Sequence, residues 1–214
     1  LPGRDLTREL IDACEKAGLY HGFYFSVEDY EYPMISENDG NLTVRLWSKS
    51  MAPDNAGVVE TDGEIYTDFD PVIHNRMLSG KIPVTDFINE YIVPQAKDFI
   101  DRYNPDILWF DGEWQRPATY YKTPDIVAYF YNRAESKKQV VANDRMGRGT
   151  REHHVDFYTS ETDEVVTKMD YPWEENRSMS ESYGYNRSDL LENYLTPDEL
   201  IEMLVRIVAK GGNL

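Results

Sequence analysis

A parallel α/β fold is the class this sequence predicts, and three observations point to it. Short apolar or aromatic runs of strand length alternate with longer stretches of helical periodicity. Two of those runs, "DILWFD" (106–111) and "VDFYTSE" (155–161), end on a carboxylate. Fixed-period repeats and low-complexity tracts are absent, which removes solenoid architectures. Strands that alternate with helices are joined by crossovers and lie parallel, so the choice falls between a doubly wound sheet and a (β/α)8, TIM-like barrel. No GxGxxG or Walker pattern follows a strand-like run, and the barrel is preferred. Barrels take about 250 residues, whereas this chain of 214 opens directly on a helix and closes at "GGNL". The expectation is a single barrel domain portion over 1–214, lacking the first strands and the end of the last, with a loop-rich excursion at about 36–82.

Each element has a local cause. Asp5 is placed to cap a helix whose apolar residues Leu6, Leu10, Ala13, Cys14 and Ala17 share a stripe, and Gly18 stops it before the aromatic strand "LYHGFYFS" (19–26). The excursion holds the turn signals "APDNAG" and "TDGE", with a short hairpin expected between "LTVRLW" (42–47) and "GEIYTDF" (63–69). Thr85 opens a helical stretch through "DFINEYIVPQAKDFIDRY", bent at Pro94 because proline removes a donor and crowds the preceding turn, and Asn104-Pro105 ends it. The strand "DILWFD" follows. "TPDIVAYFYNRA" offers a threonine cap at Thr123 with proline in the first helical position. "QVVANDR" (139–145) and "VDFYTSE" are the next strands. "TPDELIEMLVRIVAKGG" closes the series as a helix with Thr196 and Glu199 in capping-box spacing and glycines past its end.

Composition narrows the function. With 41% apolar and 29% charged residues the chain is of soluble globular type. It has no run of about 18 apolar residues to span a bilayer, and "LPGRDLTREL" lacks the basic start and apolar stretch of a signal peptide. A net charge of −17 repels phosphate backbones and anionic lipids, so neither nucleic acid nor a membrane surface is expected as partner, and a neutral ligand fits better. Cys14 is the single cysteine and forms no disulfide within the chain. The triplets at Asn41, Asn176 and Asn186 would suit a secreted glycoprotein, although patterns this short also arise by chance.

In a parallel barrel the C-terminal strand ends converge on one mouth, where a carboxylate can meet solvent and ligand while its strand stays buried. Asp111 and Glu161 both end such strands. Two carboxyl groups on one cleft are what glycosidic bond cleavage needs: one attacks the sugar carbon, the other shuttles a proton. An Asp-Gly pair after a strand is also an ordinary turn.

Six segments in register, "GLYHGFYFSVEDY", "YNPDILWFDGEW" with "VVANDR", "TSE", "WEENRSMSESYGYN" and "VAKGGNL", resemble the α-L-fucosidases of glycoside hydrolase family 29. The resemblance implies a retaining exo-hydrolase of terminal α-L-fucose on oligosaccharides or glycoconjugates; no cofactor is expected, and no metal, since the histidines offer no set of three or four converging ligands. Asp111 occupies the nucleophile's position, and Glu161 the place where many members carry the acid/base; Glu113 and Glu152 are its rivals. To protonate a leaving oxygen Glu161 has to be neutral near working pH, which an apolar surrounding of Phe157 and Tyr158, or the charge of Asp111, would arrange by raising its pKa. The two carboxyls should lie about 5 to 5.5 Å apart. Tyr24, Trp109, Arg145 and Tyr183 match substrate-binding positions: Arg145 near the nucleophile, Trp109 on the same strand face as Asp111, and Tyr183 against the methyl of fucose. By the same likeness the protein would be secreted, periplasmic or lysosomal.

Some positions depart from the family pattern. Phe25 stands for a second polar aromatic, Met146 for a tryptophan after "NDR", and Tyr183 for a more usual Trp or Phe, which implies an altered pocket. The fucose-binding histidines of the early strands have no counterpart in His21, His74, His153 or His154, so the polypeptide is not expected to act alone. A non-catalytic carbohydrate-binding relative and another retaining barrel glycosidase are the alternatives; linkage, aglycone and oligomeric state are not written in the sequence.

Overall fold

The computed structural model describes residues 3–29, 32–38, 41–46, 82, 84–114, 116–134, 138–151, 153, 155–161 and 170–214. Six strands run parallel: β1 (Gly22–Ser26), β4 (Ile107–Asp111) and β5 (Val141–Ala142) in one group, and β6 (Tyr158–Glu161), β7 (Trp173–Asn176) and β8 (Gly212–Asn213) in the other. A parallel bridge between Asn143 and Phe157 joins the two groups, so the spatial order is β1-β4-β5-β6-β7-β8. An antiparallel hairpin of β2 (Pro33–Asn38) and β3 (Asn41–Leu46) stands apart. It corrects one expectation: "LTVRLW" pairs with the segment before it, and "GEIYTDF" lies outside the described residues.

Helix α1 (Leu6–Lys16) begins where the Asp5 carboxylate accepts the Arg8 N–H at 2.9 Å, and Gly18 ends it at a φ of +71°. Its buried residue is Ile11, while Leu6 and Leu10 of the predicted stripe are exposed. The rotation has a cause. Arg8 lies over the Tyr103 ring at 5.1 Å, and Tyr103 donates to Asp5, which turns inward the face that Arg8 shares with Ile11 three residues on.

Asp86, rather than Thr85, caps the next helical stretch by accepting from Asn89. A π-helical turn (Phe87–Ile92) gives way to α2 (Val93–Tyr103), with Pro94 in the first turn of α2, where its missing N–H removes one rung of the ladder. Asn104 ends α2 in the left-handed conformation, at φ 46°.

After β4, the short α3 (Ala118–Tyr121) ends at left-handed Lys122, and α4 (Thr123–Ala134) starts immediately. Thr123 is therefore the first helical residue and not a cap. Its buried hydroxyl donates to Met146 O at 2.6 Å, tying α4 to the segment after β5. In α5 (Pro197–Ala209) the capping box of Thr196 and Glu199 is present as predicted, and Gly211 turns the chain into β8. Strand β7 was not expected, whereas β8 lies in "GGNL", where the last strand was expected to begin.

One face of the β1-β4-β5 group packs under α2 and α4, where Phe25, Leu108, Phe110, Ile92, Ile100, Ile126 and Phe130 form the main core. Trp173, Met203 and Ile207 make a second cluster between β7 and α5. Among the described residues no helix is long and apolar enough to cross a membrane.

Gly112, directly after Asp111, is fixed by close packing: a Cβ there would sit 2.2 Å from Cγ2 of fully buried Val27. Gly112→Ala should therefore cost about 1–3 kcal/mol through overpacking, read as a lower urea midpoint at unchanged slope.

Candidate active site

Period-two alternation splits β4 into two ladders. Leu108 and Phe110 turn to the helices and are buried; Trp109 and Asp111 turn to the opposite, concave face. Strand register aligns the neighbours on that face: Tyr24 lies beside Trp109, Thr159 beside Glu174 and Glu161 beside Asn176. Asp111 and Glu161 stand at the C-terminal ends of β4 and β6, as the sequence suggested.

The "NDR" segment assembles the site. Asn143 prolongs the sheet where β5 stops, accepting from Phe110 N at 2.8 Å and donating to Phe110 O at 2.9 Å. Buried Asp144 accepts from the Thr159 backbone N–H and from its hydroxyl, at 3.0 and 2.7 Å, which fixes β6 against this segment. Arg145, its side chain 3% exposed, then points onto the concave face.

The Arg145 guanidinium joins what the strands deliver separately. Its Nε donates to Thr159 Oγ1 at 2.8 Å, and its Nη1 contacts Asp111 Oδ1 at 3.3 Å and Glu161 Oε2 at 2.6 Å. Two legs of those lengths meeting at one nitrogen put the carboxylate oxygens at most about 6 Å apart, the scale of the ~5–5.5 Å separation of retaining glycosidases. Burial opposes the Arg145 charge, but the hydrogen bond to Glu161 and the charges of Glu113, Glu161 and Asp111 outweigh it and push its pKa up.

Both carboxylates are held from a second side. Tyr24 donates to Asp111 Oδ2 at 2.5 Å and Tyr183 to Glu161 Oε1 at 2.8 Å. Burial and then these hydrogen bonds raise both phenols, Tyr183 to about 12, so each remains a neutral donor. Trp109 stacks on Tyr24, with centroids 5.6 Å apart, and lies under the Arg145 guanidinium at 5.0 Å. All six residues singled out from sequence thus meet on one face.

Several expectations need correction. Glu161 is held below the ordinary glutamate range, not above it. Partial burial alone would raise it, but hydrogen bonds from Arg145 and Tyr183 and the charges of Arg145 and Arg151 prevail. The carboxyls pushed up are Glu113 and Glu174, in both cases first by burial. Glu113 lies 4.0 Å from Arg145 Nη1 and 3.5 Å from Arg151 Nη1, and its buried Oε2 has no hydrogen-bond partner among the described residues. Phe25 and Met146 pack in the core on the helix side, so these two departures do not touch the concave face. His21 sits at the other end of β1 against Asp106 and Tyr103, away from the site; His74, His154 and Glu152 lie outside the described residues. The Asn186 amide is engaged with Asp189 at 2.9 Å, and Asn176 ends β7 beside Tyr183. No group of three or more described His, Cys, Asp or Glu residues is arranged to hold a metal.

Sequence reasoning missed Glu174, Arg151 and Thr159. Glu174 accepts from the Trp109 indole N–H, and Arg151 Nη1 and Nη2 each donate to Thr159 at 2.8 Å. In "WEEN" only Trp173 is apolar, so the alternating burial of β7 is not visible in the residue types and no sequence signal marks Glu174.

The whole chain, residues 1–214, matches the family model described as Alpha-L-fucosidase. It is 34% identical over 216 residues to a tissue alpha-L-fucosidase of Homo sapiens, covering 99% of this chain and 38% of that protein. It is 30% identical to a putative alpha-L-fucosidase of Caenorhabditis elegans, covering 100% of this chain and 36% of that one. The chain spans less than two-fifths of the length of these curated relatives. Among solved structures, a Thermotoga maritima alpha-fucosidase in complex with fucose superposes with a TM-score of 0.59 at 26% identity, over 100% of this chain and 39% of that one. The same organism's enzyme with a mechanism-based inhibitor gives a TM-score of 0.61 at 26% identity, over the same shares. The chain belongs to the alpha-L-fucosidase family.

Proposed function

We propose that this protein is a retaining exo-glycosidase that releases terminal α-L-fucose from oligosaccharides or glycoconjugates, its six parallel strands forming part of a (β/α)8 barrel. The observation that carries this is the sharing of one Arg145 nitrogen by two carboxylates from different strands. Their spacing suits a double displacement, in which no water has to fit between carboxylate and sugar in the first step.

In that step Asp111 attacks the anomeric carbon as its bond to the leaving oxygen breaks, and Glu161 gives that oxygen a proton. In the second, Glu161 takes a proton from water, the water oxygen bonds to the anomeric carbon, and the Asp111 ester is released. Tyr24 and Arg145 hold one Asp111 oxygen each, which aims the carboxylate and steadies it as leaving group. Trp109 and Tyr183 offer aromatic surface for the apolar face and methyl of fucose.

Asp111→Gly, in a protein carrying this sequence, should lower kcat for an aryl α-L-fucoside by on the order of 10³-fold or more, with partial recovery in azide. A fluorinated fucoside should label Asp111 in the unmodified protein, seen as a mass increment on its peptide. Hydrolysis of β-glucosides or β-galactosides but not α-L-fucosides would refute the proposal.

The lowered Glu161 pKa fixes the sign of the pH dependence. A general acid has to be protonated, and in the free protein Arg145 and Tyr183 favour the carboxylate. kcat/KM should thus rise toward acid and fall as pH climbs through the Glu161 pKa, which lies below the group's ordinary value. Tyr183→Phe removes one of the lowering hydrogen bonds and should shift this limb of the profile toward higher pH.

A further inference from the structure

We propose that Glu174 is a positioning residue whose carboxylate fixes the indole of Trp109 and so sets the aromatic wall of the sugar site. This rests on the fucosidase reading for its consequence, though not for its geometry. Glu174 comes from β7 and Trp109 from β4, with β5 and β6 between them, so the hydrogen bond from the indole N–H spans the concave face. An indole nitrogen is a donor only, and the acceptor it finds is 65 residues away in sequence.

The other contacts of Trp109 show why such a brace matters. Tyr24 stacks on one part of the ring system, with planes 19° apart, and the Arg145 guanidinium lies 5.0 Å from its centroid. Both are face contacts. They restrain tilt but tolerate rotation of the indole in its own plane, whereas an edge hydrogen bond opposes that rotation. The ring also lines a cavity of about 300 Å³ together with Tyr24, Glu174, Glu175, Asn176 and Leu214. Tyr24 and Arg145 bind Asp111 directly, so displacement of the indole would disturb the two groups that aim the carboxylate. Half-burial raises the Glu174 pKa, and the Trp109 hydrogen bond followed by Arg145 draws it partly back, as expected for a carboxyl used as an acceptor.

The test compares Glu174→Gln, which keeps an acceptor of similar size, with Glu174→Leu, which does not. In ¹⁵N-labelled protein the Trp109 indole N–H resonance, assigned through Trp109→Phe, should move strongly upfield in the Leu variant and little in the Gln variant. With an aryl α-L-fucoside, kcat/KM should drop about 10-fold or more in Glu174→Leu and recover to within about 3-fold in Glu174→Gln. In a Trp109→Phe background Glu174→Leu should add no further loss. An unmoved indole resonance in Glu174→Leu would overturn the brace whatever the protein hydrolyses. A moved resonance with unchanged kcat/KM would remove its role in the site while leaving the fucosidase proposal intact. A Gln variant as inactive as the Leu variant would make Glu174 a proton-transfer group and overturn the positioning role.

Discussion

The site depends on one buried cation. Arg145 is the point where three acidic side chains, Asp111, Glu113 and Glu161, approach one another in a chain of net charge −17. Two carboxylates no more than about 6 Å apart repel by about 3 kcal/mol or more at an effective dielectric near 20, less where solvent screens partly exposed Glu161. A guanidinium between them reverses the sign of that balance. Burying it would itself be unfavourable without partners, and the fold supplies them: Thr159 at Nε, carboxylates at Nη1 and the Trp109 ring at its face. The cation and the acid pair are therefore a single unit, and each makes the burial of the other tolerable.

The backbone explains why this unit forms where it does. Parallel pairing lets β4 end on Asp111 with Phe110 and Leu108 anchored under α2 and α4, so the carboxylate sits on a strand whose other face is solid core. β5 is only two residues long, yet the sheet does not part there. The Asn143 side chain imitates a strand neighbour for Phe110, Asp144 grips Thr159, and Arg145 emerges between them. Three consecutive residues thus carry a structural, a joining and a chemical task, and a register slip of one would send Arg145 toward the helices.

Local signals survived the passage from sequence to structure; long-range ones did not. The Asp5 cap, the capping box at Thr196, the Asn104 stop and the carboxylate ends of β4 and β6 were legible because each is set within a few residues. The Thr123 cap failed for a long-range reason: its hydroxyl is claimed by Met146 O, 23 positions away. Strand β7 went unseen because its buried partners, Met203 and Ile207, lie on a helix that follows much later. The convergence of Tyr24, Trp109, Asp111, Arg145, Glu161 and Tyr183 was anticipated through family resemblance, since spacing alone supplied only the two strand-end acids. The direction of the Glu161 pKa was misjudged because a nearby Asp111 was weighed without the cation between them.

The departures from family pattern also divide by face. Phe25 and Met146 belong to the core side and exchange one packing residue for another. Tyr183 lies on the concave side, and there a phenol does what a phenyl in its place could not do to Glu161: it donates to Oε1 while Arg145 holds Oε2. Both oxygens of Glu161 are thereby engaged by donors, which favours the ionised form beyond what Arg145 achieves alone. In the proposed reaction, a leaving group approaching Glu161 would have to take the place of one of these two donors. Tyr183 is the more replaceable, because it is 58% exposed and neutral, whereas Arg145 is buried and charged. In the proposed reaction Arg145 would keep Asp111 and Glu161 at one spacing while Tyr183 yields, and proton delivery would be coupled to sugar entry without any change in the strands that carry the two acids.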